Sequence, residues 1–484
     1  MPSPSFSPAA GLPSSGPPVI DPQEIAARNI KAFLWFRVLF NSRFYYPIFT
    51  ILFLDFGLSI EDFAALNALW AASIVVFEVP SGALADKLGR RRLVVFSAWL
   101  MVVEMGILFL MPVGGGWVWP LMALNRVISG LAEACCSGAD EALVYDALPS
   151  DGREAAWTRV LARLMRWQSL TFMLVALLGA ATYSADFMNK VAHFLHLDFS
   201  FTKETCMRIP LGLNLLMALA TVRVSLMLTD TQQHAPDISG LRPLIQSSFR
   251  QMVDAARYIL RSPAAIVIIL TGLLFDSFLR LFYTVGSNYY RLLGIDEAWN
   301  GVILASSSLM GIGTALLVEK LMGTATPSRN MGMVAVFILI GLSGISLMIP
   351  GWVGVLFVVP FWLGMRSLHY FISQYLNRVS EPATRATVLS FKGLTMNLAY
   401  GTIMLAYQAQ TWGLRSSEKQ ALASMDKTQS DIHLLAAAMP LWPWMFGTMA
   451  LALAIGVRLK FGGGLTTLLE QETNSLVQRD VKSS

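Results

Sequence analysis

Several arginines lie inside strongly apolar stretches of the sequence, where a charged side chain needs a specific reason to be. Four of them are Arg43, Arg126, Arg280 and Arg366. An arginine at membrane depth costs ~3 kcal/mol or more on insertion scales, so each needs a partner or a water-filled cavity. A planar guanidinium group can donate two parallel hydrogen bonds to one carboxylate or phosphate. The four arginines therefore predict a binding site for an anionic group.

Arg43 and Arg280 occupy equivalent positions in an internal repeat. A shift of 237 residues places Arg43 on Arg280, Tyr46 on Tyr283, and Gly57 on Gly294. Two guanidinium groups that face each other across a pseudo-twofold axis could clamp one carboxylate or phosphate. The alternative for Arg280 is a structural ion pair with Asp276, one helical turn away.

Three carboxyl groups inside apolar stretches are candidates for carrying a proton: Glu78, Glu133 and Asp276. Burial disfavours the charged form of a carboxyl group, so such a group can take up a proton near neutral pH. A salt bridge, such as Glu133 with Arg126, is the alternative for each of them. Glu104 is expected to face another helix and receives no role.

The stretch SGALADKLGRRRL, residues 81–93, combines a fixed pattern of small residues with a run of cations. Gly82 permits close helix approach and Gly89 permits a tight turn. Asp86 can accept a hydrogen bond from Arg90 or from a neighbouring helix N-terminus. A turn that only oriented the chain in a membrane would need no fixed Asp and Gly spacing.

Other candidate motifs favour no further chemistry. His193 and His196 with Asp198 have a spacing that could bind a metal, but a solvated loop is the simpler interpretation, and we expect no metal or cofactor. The three cysteines form no disulfide framework. The cations are spread along the loops, so no nucleic-acid partner is expected.

The composition identifies the solvent of this chain as the lipid bilayer. Of its 484 residues 55% are hydrophobic and 14% are charged, whereas a soluble domain carries roughly 25% charged residues. A spanning helix needs ~20 mainly apolar residues, which predicts an all-α integral membrane protein with twelve spans. They lie near residues 33–56, 63–84, 93–112, 118–140, 158–183, 208–228, 264–286, 298–318, 331–350, 352–376, 387–411 and 437–457.

The distribution of cations sets the expected orientation. Lysines and arginines concentrate in alternate loops, and the short loops at 57–62 and 113–117 contain none. This positive-inside pattern places both termini and residues 81–93 in the cytoplasm. Residues 1–30 read as a disordered tail, 229–262 as a linker with an amphipathic helix at the inner membrane face, and 461–484 as a second tail. Between them lie two six-helix bundles, residues 31–228 and 263–460.

At residues 81–93 the chain resembles the major facilitator superfamily of secondary transporters. That family carries G-x-L-A-D-x-x-G-R-[RK]-x between its second and third helices, matched here by Gly82, Leu84, Ala85, Asp86, Gly89, Arg90 and Arg91. The resemblance implies two pseudo-symmetric bundles and a loop that latches them on the cytoplasmic side. It makes Asp86, Arg90 and Arg91 gating residues, with Asp140 and Asp146 as suitable partners.

The same resemblance assigns the cavity. In this family helices 1, 4, 7 and 10 line it, and these four carry the arginines of the opening paragraph. Arg126 and Gly130 are similar to an R-x-x-x-G pattern whose arginine is tied to proton coupling. The chain lacks the G-P-x-x-G-G run of the drug/proton antiporters in helix 5.

These observations predict a secondary active transporter of a small solute, working by alternating access, with an organic or inorganic anion favoured as substrate. A proton or counter-ion could accompany it. Proton-coupled efflux of hydrophobic or cationic drugs, through Glu78, Glu133 or Asp276, is the alternative. A non-transporting receptor is a third hypothesis; an enzyme is not expected, since no catalytic constellation is present. We expect a monomer in the plasma membrane, the inner membrane of a bacterium.

Overall fold

The chain folds into helices throughout the part that its computed structural model describes, residues 22–230, 241–380 and 385–483. No strand occurs in those ranges. Most of the predicted N-terminal tail lies outside them, and helix begins at Pro22, inside the predicted tail. We call the end of the molecule that carries residues 81–93 the motif end, and the other the opposite end.

Within residues 22–230 the chain forms nine α-helices, which we call the N bundle. They are α1 (Pro22–Phe40), α2 (Phe49–Asp55), α3 (Ile60–Leu88), α4 (Arg90–Leu110), α5 (Val118–Cys136), α6 (Ala139–Ala147), α7 (Arg153–Tyr183), α8 (Ala185–Phe194) and α9 (Lys203–Ser225).

The second half contributes the linker helix, the C bundle (α11–α19) and a terminal helix. They are α10 (Leu241–Arg261), α11 (Pro263–Leu292), α12 (Trp299–Thr324), α13 (Pro327–Ser346), α14 (Trp352–Leu356), α15 (Val359–Val379), α16 (Arg385–Ser417), α17 (Lys419–Leu422), α18 (Lys427–Ala438), α19 (Trp442–Phe461) and α20 (Leu465–Ser483).

Eight helical segments of the described chain are long and apolar enough to cross a membrane. They correspond to predicted spans 2, 3, 5, 6, 7, 9, 10 and 12. The other four predicted spans are helical as well, in α1 with α2, α5, α12 and α16. The all-helical integral membrane fold is therefore confirmed, while the count of twelve spans stays a prediction.

The first predicted span, residues 33–56, is two helices rather than one. Between α1 and α2 lie an irregular segment and a 3-10 turn at Tyr46–Ile48 that contains Pro47. Proline lacks a backbone N–H and disfavours helix in the residue before it. At the end of α1 the Asn41 amide donates to the Arg37 carbonyl at 2.8 Å and the Ser42 hydroxyl donates to the Val38 carbonyl at 2.7 Å. These side chains satisfy carbonyls that the ended helix leaves open.

The irregular segment packs into the N bundle through two specific contacts. The Phe44 backbone N–H donates to the Asn214 side chain of α9 at 2.8 Å. On α7, Gly179 lies directly against the Phe44 backbone, and a Cβ at that position would overlap the Phe44 carbonyl. These two contacts hold the segment between α1 and α2 in place in the N bundle.

Two apolar cores stabilise the molecule, one built mainly from each half of the chain. The bundles meet where α3 packs along α16 and where α7 packs along α12. Small residues form both crossings: a Cβ on Gly401 would lie 3.2 Å from the Ala71 Cβ, and a Cβ on Gly301 would overlap the Ala176 carbonyl. Small residues let helix backbones approach closely in a membrane.

Two helices outside the bundles pack against them at the motif end. The linker helix α10 packs against both α3 and α16, and its Phe249 and Leu260 stay exposed. The terminal helix α20, predicted as a tail, instead buries Leu465 against the C bundle. Its Glu472 carboxylate accepts from the Ala264 backbone N–H at 3.1 Å, which caps the start of α11.

The close packing of Gly179 against the Phe44 backbone gives a stability prediction. Gly179→Ala places a methyl group where the Phe44 carbonyl lies, so the backbone must shift, and we expect a loss of about 1–3 kcal/mol or more. Thermal unfolding of the detergent-solubilised protein measures it. The control is Gly106→Ala on α4, where an added Cβ meets nothing within 4 Å. Equal melting temperatures for the two variants would contradict the packing described here.

Candidate functional site

A cavity of about 950 Å³ lies between the two bundles, and all four arginines singled out in the sequence line it. The segment between α1 and α2 supplies Arg43 and α5 supplies Arg126, while α11 supplies Arg280 and α15 supplies Arg366. Arg37 of α1 is a fifth cation in the lining. Aromatic rings, including Trp70 and Tyr400, complete much of the wall.

The two arginines of the N bundle share one carboxylate, that of Glu104 on α4. Its Oε2 accepts from Arg43 at 3.2 Å, and its Oε1 lies 3.8 Å from Arg126 Nη2. All three residues are buried, Glu104 completely. Two cations therefore face one anion, and the group carries a net positive charge when all three are ionised.

Neighbours hold Arg126 in a single orientation. The Asn125 side-chain oxygen accepts from Arg126 Nη2 at 2.6 Å, and the Asn125 amide donates to the Glu104 backbone carbonyl at 2.7 Å. The guanidinium lies 5.2 Å from the ring centre of Phe53 and 6.0 Å from that of Phe49. Aromatic faces attract a cation without neutralising it.

Arg280 is held by groups of the C bundle. Its guanidinium lies 3.7 Å from Asp276, donates to the Asn397 side chain at 3.2 Å, and stacks 4.1 Å from the ring centre of Tyr400. The structural ion pair with Asp276 that the sequence offered as an alternative is therefore present. The Arg280 side chain still reaches the cavity and remains 22% exposed.

Arg366 has the fewest partners of the four. In the described part of the chain its guanidinium makes one long hydrogen bond, to the Ser307 backbone carbonyl at 3.4 Å, and no ion pair. A guanidinium group has five N–H donors. Most of the donors of Arg366 are therefore free to bind a ligand in the cavity.

Arg280 and Arg366 lie at similar depth on neighbouring helices. The His369 ring nitrogen contacts the Asp276 carboxylate at 3.0 Å, which joins α15 to α11. Arg280 is about one turn beyond Asp276, and Arg366 about one turn beyond His369, in both cases towards the opposite end. This arrangement places both side chains on the same side of the His369–Asp276 contact.

The three predicted proton carriers occupy different environments. Glu133 lines the cavity, and its carboxylate makes no hydrogen bond or ion pair with the described residues. Asp276 is buried and does not line the cavity itself, and its carboxylate contacts two residues that do, Arg280 and His369. Glu78 accepts from the Ser137 hydroxyl at 3.1 Å, between α3 and the end of α5, and is not a lining residue.

At the opposite end, hydrogen bonds across the two bundles close the cavity. The Thr50 backbone N–H on α2 donates to the Ser287 hydroxyl on α11 at 3.0 Å. Thr50 and Ser287 are 237 residues apart, the same shift that places Arg43 on Arg280. The Tyr400 hydroxyl contacts Thr284 at 2.9 Å and donates to Asn67 on α3 at 3.3 Å.

Beyond these hydrogen bonds, ion pairs fasten the bundles together. Arg291 of α11 donates to both oxygens of Asp55 on α2, at 2.9 Å each, and to Glu297 at 2.7 Å. Lys203 of α9 contacts Glu297. Tyr183 of α7 donates to Asp55 at 2.6 Å. The cluster holds the N bundle against the start of the C bundle.

A second ion-pair cluster lies between α3 and α16. Arg415 donates to the Glu61 carboxylate at 2.7 and 3.1 Å and to Asp431 at 3.3 Å. The Lys427 ammonium donates to Asp431 at 3.0 Å and to the Leu54 backbone carbonyl at 3.0 Å. Because the opposite end is held at two places, we infer that the cavity opens towards the motif end.

The predicted gating residues contact the N bundle itself. Arg90 is paired with Asp146 of α6. Arg91 donates to the Leu228 carbonyl at 2.6 Å and to the Leu226 carbonyl at 3.1 Å, just beyond α9. The tight turn predicted at Gly89 has φ +91°, a value that favours glycine.

The remaining motif residues have separate positions. Asp140 accepts from Arg37 at 2.8 Å rather than from the motif. Gly82 is exposed, and no neighbour lies within 4 Å of a Cβ built on it. The side chain of Asp86 lies outside the described part of the structure. His193 and His196 are exposed at the end of α8, and the described residues contain no group of three or more His, Cys, Asp or Glu side chains placed to hold a metal.

Sequence reasoning gave no role to Glu104 or to the ion pairs of the opposite end. A single acidic residue in an apolar helix indicates that it has a polar or charged partner, but the sequence does not identify that partner. Asp55 and Arg291 stand at helix ends, where charges are common, so their types gave no signal. Their separation of 236 residues, close to the repeat shift, was the one available clue.

The geometry is that of a two-bundle membrane transporter, and the comparisons with known proteins agree. Residues 32–406 match the model of the Major Facilitator Superfamily. Because this match covers most of the chain, the chain belongs to the Major Facilitator Superfamily, and it is a transporter rather than an enzyme. In sequence, no curated protein matches the chain significantly.

Solved structures of transporters share its fold at low sequence identity. The nucleoside transporter NupG matches with TM-score 0.64 and 12% identity, over 88% of this chain and 99% of that one. A bacterial homologue of the human lysosomal transporter Spinster, inward-facing and unoccupied, matches with 0.63 and 12%, over 94% and 98%. The peptide transporter POT matches with 0.58 and 15%, over 90% and 99%.

Glu104 gives a prediction about stability. Glu104→Gln leaves two buried guanidinium groups without their shared anion, so we expect a loss of about 3–5 kcal/mol. The melting temperature in detergent measures it. Glu204→Gln, the same change at an exposed site on α9, is the control and should leave the melting temperature unchanged. A Glu104→Gln variant as stable as the parent would show that Arg43 and Arg126 do not depend on Glu104.

The ion pairs of the opposite end give a prediction about conformation. Arg291→Gln removes contacts to Asp55 and Glu297, so states open at that end should become about 5- to 150-fold more populated. Ser308→Cys, at a cavity-lining position, reports this in a chain whose three native cysteines are replaced by alanine. An impermeant thiol reagent applied at the opposite end should label it faster. Arg208→Gln, whose contacts stay inside the N bundle, should not change the labelling rate.

Proposed function

We propose that the chain moves a small organic or inorganic anion across the membrane by alternating access, with the cavity as its binding site. Contacts between the bundles close the cavity at the opposite end, which supports an opening towards the motif end. Transport would exchange this state with one open at the opposite end. The positive-inside pattern supports placing the motif end and both termini in the cytoplasm of a plasma membrane.

The observation that carries the proposal is the incomplete satisfaction of Arg366 in the cavity wall. A cavity-lining guanidinium with one long hydrogen bond and no ion pair offers its donors to a ligand. Charge-assisted hydrogen bonds to a carboxylate or phosphate are roughly twice as strong as neutral ones. An anion would therefore bind there in preference to a neutral solute.

The charges around the cavity also favour a negatively charged substrate. Four arginines from the centre of the two bundles contact only two carboxylates, Glu104 and Asp276, within the described residues. Even with Glu133 ionised, the group retains a positive charge. An anionic group that enters the cavity would reduce this excess, which is a net attraction.

The position of Arg280 adds a second donor. Because Arg280 and Arg366 lie at similar depth on neighbouring helices, one carboxylate or phosphate could accept from both. Arg43 and Arg126 would contribute mainly through their charge, because Glu104 and Asn125 already occupy several of their donors.

Proton-coupled efflux of cationic or hydrophobic compounds is the second candidate, and one observation favours it. The Glu133 carboxylate faces the cavity without a described partner, so it could hold a proton or a cationic group. A non-transporting receptor finds less support, since the family whose model matches the chain and the solved structures that share its fold are those of transporters.

Transport in proteoliposomes tests the proposal. Counterflow would be measured with a panel of monocarboxylates, dicarboxylates, phosphate esters and organic amines. We expect anions to exchange and amines not to, and we expect Arg366→Gln to reduce anion exchange about 10- to 100-fold, since it removes charge-assisted hydrogen bonds of about 1.5–3 kcal/mol. Arg280→Gln should have a similar effect.

The control is Arg223→Gln on α9, an exposed arginine outside the cavity, which should leave exchange unchanged. Exchange of amines alone would replace the anion proposal with efflux. Anion exchange that survives both cavity substitutions would show that the arginine pair is not the binding site.

A further inference from the structure

Glu133 is the one carboxylate that lines the cavity, among residues the structure describes. It lies on α5, near the motif-end mouth, and its side chain is exposed to the cavity. The carboxylates of Glu104 and Asp276 are each engaged by an arginine. The Glu133 carboxylate has no such contact, so its oxygens are available to a ligand.

Two arginines that line the same cavity as Glu133 are already engaged elsewhere. They are Arg37 and Arg43. Arg37 donates to Asp140 at 2.8 Å and to Glu141 at 3.1 Å, and Arg43 donates to Glu104 at 3.2 Å. Neither forms an ion pair with Glu133, so the negative charge of Glu133 remains unsatisfied at short range.

Opposite charges therefore line the same cavity at different depths. Arg126 and Glu133 are seven residues apart on α5, which is two turns on nearly the same helix face, or about 10 Å along the axis. The helices α5 and α15 run in the same direction, and Arg366 lies about as far into α15 as Arg126 lies into α5. Glu133 is thus nearer the motif end than the arginines by roughly the length of a small extended solute.

We propose that the substrate is zwitterionic: its carboxylate or phosphate binds between Arg366 and Arg280, and its amine binds Glu133. The inference rests on the proposed function, because it keeps the anionic group on the arginines, and it adds a second charge of opposite sign. A plain anion would leave Glu133 in the cavity wall without a partner. A plain amine would leave the excess positive charge uncompensated.

The preference that follows has a definite size. A site whose fixed groups pair with a charged group of the substrate binds an analogue that lacks this group less tightly. A hydrogen bond to a charged group is worth about 1.5–3 kcal/mol. We therefore expect a zwitterion to bind at least about 10-fold more tightly than the anion of the same skeleton, because 1.4 kcal/mol is a factor of 10.

A matched series of probes tests the inference on the purified full-length protein. The probes are 6-aminohexanoate, hexanoate and hexylamine, which share one skeleton, together with a dipeptide and its N-acetyl derivative. Binding is measured by thermal shift and calorimetry, and uptake by counterflow. We expect 6-aminohexanoate and the dipeptide to bind, and hexanoate and the N-acetyl dipeptide to bind at least about 10-fold more weakly.

The Glu133→Gln variant identifies the residue responsible. Glutamine keeps the size of the side chain and removes its charge, so the advantage of the zwitterion over the anion should disappear, with anion binding unchanged or improved. Glu204→Gln, the same substitution at an exposed residue of α9, should preserve the advantage. An advantage that persists in Glu133→Gln would overturn the assignment to Glu133.

The outcomes separate this inference from the proposed function. Anions that bind as tightly as zwitterions would overturn the inference and leave the anion transporter standing, with Glu133 then a candidate for proton coupling. Tight binding of hexylamine alone would overturn both. Binding by no member of the series would also count against both, because the series spans the distance between the charges that line the cavity.

Discussion

The architecture of the cavity depends on the need to compensate guanidinium groups at membrane depth. Glu104 meets this need for Arg43 and Arg126, and it fixes three elements at once: the break between α1 and α2, helix α4, and helix α5. Because one carboxylate serves two arginines, the compensation is incomplete, and the remaining positive charge faces the cavity. The same contact thus stabilises the N bundle and gives the site its electrostatic character.

The two ends of the molecule are built differently, and the difference defines the conformational state. At the opposite end, ion pairs and hydrogen bonds cross between the bundles, with Asp55, Arg291 and Glu61 among the residues involved. At the motif end, Arg90 and Arg91 contact the N bundle's own helices. By the family resemblance this motif holds the two bundles together on the cytoplasmic side. In the present conformation, with the cavity open on that side, Arg90 and Arg91 contact the N bundle instead.

The composition of the sequence predicted the helical membrane fold, whereas the four cavity arginines came from the family resemblance, which assigns their helices to the cavity wall. Sequence reasoning missed the break in the first span, although the polar run Asn41–Arg43 and Pro47 both lie within residues 33–56, because the apolar residues on either side were counted as one stretch. It could not choose a partner for Arg43, because Glu104 lies 61 residues away and becomes a neighbour only through packing of α4. The docking of α20 was missed because its apolar residues are too few to stand out from a polar tail.

The two crossings of small residues have a consequence for turnover. At Gly401 on Ala71 and at Gly301 on Ala176, helix backbones touch with almost no side chain between them. Small residues let the helices cross at short distance there. Tyr400–Asn67 and Arg415–Glu61 join the same pair of helices as Gly401 and Ala71, so a movement of α3 against α16 must also break these pairs. A substitution at these crossings would change how the bundles pack and move, whereas a substitution in the cavity would change which solute is bound. The rate of transport and the selectivity for the solute could therefore change independently, through substitutions in separate sets of residues.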